Sequence, residues 1–65
     1  MKKLTKRQVL ANFRIMVLPE VRHRYEQDGR VDVPARREAW NNWVDMLAKN
    51  GEITWKQAES WGNPF

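Results

Sequence analysis

The chain has no cysteine, one histidine and one serine, and each shortage closes off a chemistry. Without cysteine there is no disulfide and no thiolate nucleophile or metal ligand. His23 alone cannot build a metal site, since structural and catalytic zinc sites draw several nitrogen or sulfur ligands from the protein. Ser60 has no histidine and acid set beside it by sequence. There is no HExxH, no P-loop and no glycine-rich phosphate cradle. The sequence therefore reads as non-catalytic, with no catalytic residue, no cofactor and no metal. No apolar run approaches the roughly 20 residues needed to span a bilayer. The basic opening around Lys2 and Lys3 is followed by Arg7, Gln8, Asn12 and Arg14, so no clean apolar signal region follows. The expectation is a soluble cytoplasmic protein with no membrane partner, and the lack of cysteine fits a reducing compartment.

What remains is short, basic and aromatic. Sixty-five residues make a single domain, 1–65. Domains below about 70–80 residues usually need disulfides, a metal, a partner or dense packing to stay folded. With the first two excluded, dense aromatic packing, self-association as a homodimer, or both must serve. Four tryptophans, Trp40, Trp43, Trp55 and Trp61, all lie in the C-terminal half. Most should be core, because a buried indole brings more apolar area than any aliphatic side chain. If one ring is left open, Trp55 or Trp61 is the one.

The net charge of +4 is uneven. Residues 1–31 hold eight Lys/Arg against three acids, and residues 32–65 hold four against five. A basic N-terminal half is the electrostatic footprint expected for an anionic partner. Its bland reading is a solvated helix face.

Helix signals are explicit. Thr5-Lys6-Arg7-Gln8 is a capping box, with Leu4 and Val9 placed as a hydrophobic staple. Thr54-Trp55-Lys56-Gln57 repeats it, flanked by Ile53 and Ala58. The first helix should carry Val9, Leu10, Phe13, Met16 and Val17 on one face, with Lys3, Arg7 and Arg14 opposite. Pro19 should kink or restart it. Val21 and Tyr25 extend the apolar stripe to about Glu26, and Asp28-Gly29 ends it. Asp32 caps a second long helix, Pro34 to Lys49, with proline in its first turn. Ala39, Trp40, Trp43, Val44, Met46 and Leu47 form its apolar face, and Asp45 with Lys49 is a supportive i, i+4 pair. Asn50-Gly51 stops it. A short helix, Trp55 to Trp61, closes the chain before Gly62-Asn63-Pro64. The fold class is all-α: a three-helix domain with its long first helix kinked at Pro19. The two similar loops, 28–32 and 50–54, could form a tiny antiparallel bridge.

Two motif readings fail on their residues. An EF-hand loop aligned on Gly29 or Gly51 puts Arg24 or Met46 at its first ligand position, where calcium needs a carboxylate. A helix-turn-helix over residues 38–61 would read DNA with Lys56, Gln57, Glu59 and Ser60, which carry no net charge and little base-reading capacity.

The segments Val17-Leu18-Pro19-Glu20-Val21-Arg22, Tyr25-Glu26-Gln27-Asp28-Gly29, Pro34 to Trp43, Gly51-Glu52-Ile53-Thr54 and Trp61-Gly62-Asn63-Pro64-Phe65 together resemble a group of small accessory proteins encoded by tailed bacteriophages. The resemblance spans nearly the whole chain. The group has no assigned activity, so no functional residue is carried over. The resemblance implies a setting, the cytoplasm of a bacterial host cell, and a macromolecular partner. The functional expectation is a non-catalytic accessory factor that binds or modulates a bacterial host protein. The alternative is a sequence-independent nucleic-acid binder tracking phosphates with its basic N-terminal face. Contact residues expected for either partner are Lys3, Lys6, Arg7, Arg14, Arg22, Trp55, Trp61 and Phe65.

Overall fold

The computed structural model describes residues 3–65 and is all-α, with four helices and no strand among them. Helix α1 covers Lys6–Met16, α2 Leu18–Tyr25, α3 Val33–Lys49 and α4 Trp55–Ser60. Both capping boxes form. Thr5 Oγ1 accepts from the Gln8 amide at 3.2 Å, and Gln8 Oε1 accepts from the Thr5 amide at 2.9 Å. The Thr54/Gln57 pair does the same at 3.0 and 2.8 Å. Asp32 caps α3 by accepting from the Ala35 amide at 3.1 Å.

The expected long first helix is two helices broken at Val17. Pro19 offers no N–H to the Ile15 carbonyl and its ring crowds that carbonyl, so one rung is lost, while Val17 still donates to Phe13 O at 2.9 Å and accepts from the Val21 amide at 3.1 Å. The break decides what is buried. On an unbroken helix Leu18 would point about 140° away from Phe13, on the outer side. Restarting at Leu18 turns Leu18 and Val21 inward, where both are buried. Met16, expected in the core, is instead 66% exposed, and its neighbour Ile15 is 73% exposed. Tyr25 and Met46, also read as core-facing, lie on the surface.

Helix α3 ends as the Asn50-Gly51 pair requires. Gly51 takes φ +78°, its amide donates to Ala48 O at 3.1 Å, and the Glu52 amide donates to Leu47 O at 3.0 Å. These are the two bonds of a Schellman motif, which satisfies carbonyls the helix end leaves open. The reversal drives Ile53 into the core at 1% exposure.

No bridge joins the two loops. They sit at opposite ends of α3, which at 1.5 Å per residue separates them by about 25 Å. Loop 50–54 pairs with the start of the chain instead. The Leu4 amide donates to Glu52 O at 3.0 Å, and Gln57 Nε2 donates to Leu4 O at 3.2 Å. One glutamine thus completes the α4 capping box and ties it to the α1 entry. At the other end, Glu26 accepts from Arg36 Nε and Nη2, both at 2.7 Å, and from the Asp32 amide at 3.1 Å. The two side chains are only 6% and 15% exposed. This bidentate pair locks the α2–α3 corner. The Arg36 hydrogen bonds hold the Glu26 carboxyl below its ordinary value against the opposing effect of burial.

The core is a single cluster of Val9, Phe13, Leu18, Trp40, Val44, Leu47, Ala48 and Ile53. At its centre three rings meet. Phe13 and Trp40 are edge-to-face at 5.4 Å, and Phe65 lies 5.4 Å from Phe13 and 6.4 Å from Trp40. The domain is elongated, 41 × 18 × 18 Å. Its radius of gyration of 12.3 Å exceeds the roughly 10.7 Å expected of a compact chain this long. A shape two helices thick leaves apolar side chains uncovered.

Candidate functional site

The residues expected to contact a partner separate into three groups. Lys3 and Phe65 have internal roles. The Lys3 ammonium donates to the Gly51 carbonyl, where its charge also suits the C-terminal end of α3. Phe65 completes the ring cluster, and Asn63 pins its segment down. Asn63 Nδ2 donates to Arg37 O at 3.2 Å and to Asn41 Oδ1 at 3.4 Å, while its Oδ1 accepts from the Phe65 amide at 2.9 Å.

Lys6, Arg7 and Arg14 are exposed on α1, and none makes a salt bridge among the described residues. Arg7 and Arg14, seven residues apart, project from one side of the helix about 10 Å apart along its axis. Arg22 is exposed on α2, beyond the break, where it adds to the positive field on Glu26. The basic face is therefore the three α1 residues, with Lys3 drawn away and Arg22 on another segment.

Trp55 and Trp61 belong to a different feature. Between α3 and α4 lies an open groove of about 470 Å³. Buried Trp40 and Val44 form its floor, and Trp55, Ala58 and Trp61 line its α4 side. Trp55 is 50% exposed, while Trp61 is half-buried against the core. Its charged lining residues are Asp45 and Glu59. Neither forms a salt bridge among the described residues, so the expected Asp45–Lys49 pair is not made. An acidic, aromatic groove has formed on a chain of net charge +4.

Asp45 and Glu59 were missing from the sequence-derived site because both read as solvated helix positions. A signal was present. Asn41 and Asp45 each follow a buried residue, Trp40 and Val44, by one position, and Trp55 and Glu59 are four apart on α4. The first pair therefore borders the apolar stripe of α3, and Glu59 sits next to Ala58 and one turn beyond Trp55 on α4. Only the packing of α4 on α3 brings the flanks together.

A second depression of about 290 Å³, beside the α2–α3 corner, involves Tyr25, Asp32 and Glu38. Its Asp32 carboxylate is already engaged as the α3 cap. Among the described residues no cluster of His, Asp or Glu has metal-binding geometry, and no helix is long and apolar enough to cross a membrane. Comparison of the chain with protein-family models, with curated proteins and with solved structures finds no match.

Proposed function

We propose that this chain is a non-catalytic binding protein, a phage-encoded accessory factor that docks on a bacterial host protein in the cytoplasm. The groove between α3 and α4 carries the reading. A half-exposed tryptophan beside a preformed concavity is the kind of anchor that dominates protein interfaces. Trp55 is 50% exposed and lies outside the core cluster, so much of its ring is open to a partner. The phage setting rests on the sequence resemblance.

The alternative, sequence-independent nucleic-acid binding, draws on Lys6, Arg7 and Arg14, which make no salt bridge among the described residues. The groove argues against routing nucleic acid across α4, since Asp45 and Glu59 repel phosphate.

Affinity capture from bacterial lysate, with and without nuclease, separates the two. The proposal expects a host protein retained after nuclease treatment and lost with Trp55→Ala. Retention that disappears with nuclease, and with Lys6, Arg7 and Arg14 all changed to Gln, would favour the alternative. In that case the salt dependence of duplex binding should flatten by about 0.9 for each phosphate no longer neutralised.

A further inference from the structure

We infer that the α3–α4 groove receives an arginine side chain from an apolar segment of a protein partner. The inference rests on the docking function proposed above and names the chemistry that would fill the site. Three observations converge on it. The groove is built from tryptophan, and its charged lining residues, Asp45 and Glu59, are both carboxylates with no salt-bridge partner among the described residues. Its volume of about 470 Å³ has room for a guanidinium with an apolar neighbour. The rest of the chain is basic, so this is a local reversal of charge.

A guanidinium is the group that uses both halves of such a site. It stacks on an indole face, held by the ring quadrupole, and its fork of donors fits a carboxylate. An ammonium is a strongly hydrated point charge without the planar fork. An apolar side chain beside the arginine would cover Ala58 and the exposed part of Trp55. A phosphate backbone would meet two carboxylates at the same place.

The test uses the intact protein and two amidated peptides, acetyl-Leu-Arg-Leu-Arg-Leu and its counterpart with neutral citrulline at both arginine positions. The four indole N–H resonances are followed during titration to millimolar peptide. The expected result is saturable shifts of the Trp55 and Trp61 indoles with the arginine peptide. Its affinity should be at least about tenfold above that of the citrulline peptide, the equivalent of one strong ionic contact. The double variant Asp45→Asn, Glu59→Gln should abolish that preference. Both positions are exposed, so circular dichroism should report an unchanged fold.

Equal binding of the two peptides, or no shift up to millimolar, would overturn the inference. So would indole shifts caused by an oligonucleotide in place of the peptide. Shifts that follow the protein's own concentration without peptide would assign the groove to a second copy and also overturn it. The outcomes separate from those of the broader proposal. A captured host protein that depends on Trp55 but is indifferent to Asp45→Asn, Glu59→Gln refutes the arginine assignment and leaves the docking function standing. Capture indifferent to Trp55→Ala refutes the docking function itself.

Discussion

Replacing Trp40 with alanine tests whether the three-ring cluster holds this elongated domain together. Trp40 is 2% exposed and contacts rings from α1 and from the C-terminal segment. A buried tryptophan removes about 150–250 Å² from water, and at about 25 cal/mol/Å² that amounts to roughly 4–6 kcal/mol. This is an upper figure, because real denatured chains already bury part of that surface. Truncation of a core Phe or Trp to Ala typically costs about 3–5 kcal/mol. At about 0.05–0.15 kcal/mol per residue, a 65-residue domain holds only roughly 3–10 kcal/mol in total. The expected outcome is a largely unfolded or barely folded variant, measured by urea titration followed by circular dichroism. Trp40→Phe keeps an aromatic ring at the site and should remain cooperatively folded at a lower urea midpoint. A Trp40→Ala protein with an unchanged midpoint would refute the ring cluster as the keystone and indicate that α1 and α3 are held together elsewhere.

Three further outcomes follow from the same geometry. Thr5→Ala and Thr54→Ala should each cost about 0.5–2 kcal/mol, because each removes the acceptor of a formed capping box; wild-type urea midpoints for both would show that the caps contribute nothing. Glu26 has its carboxyl held low by Arg36, so its stabilising contribution is present above the unfolded-state value and is lost as pH falls through the lower folded-state value. The urea midpoint should therefore drop on acidification below about pH 4.5, the ordinary value for that group, and Glu26→Gln should flatten this dependence while lowering the neutral-pH midpoint. The Trp43 indole N–H is buried with no hydrogen-bond partner among the described residues, an arrangement that costs about 1–3 kcal/mol. Trp43→Phe relieves it while giving up some apolar area and should stay within about 1 kcal/mol of wild type; destabilisation above about 2 kcal/mol would mean that the N–H is satisfied.

Where the helices begin and end is legible in short windows of the sequence. Capping boxes, the Asp32 cap, Pro19 and the Asn50-Gly51 stop act through bonds between residues two to five apart, so their effects are visible in a short window. The all-α class and the burial of Val9, Phe13, Trp40, Val44 and Leu47 follow from that and from helical spacing. The rest depends on how the helices pack together. Pro19 announces a break, but the angle at which the chain restarts is set by packing, and that angle turns Leu18 into the core, while Met16 at the end of α1 is left uncovered. Glu26 and Arg36 are ten residues apart and meet across the α2–α3 corner, so no local pattern pairs them. Lys3 reads as a free cation until loop 50–54 brings the Gly51 carbonyl to it, and Phe65 reads as an open end until Asn63 clips it to α3. The groove is the clearest case. Asp45 and Glu59 each look like a solvated position on its own helix. The Schellman turn at Gly51 reverses the chain locally, but they share a site because the Gln57 tie to Leu4 and the packing of Ala58 and Trp61 on the core set α4 against α3, and those contacts exist only once the whole chain has folded.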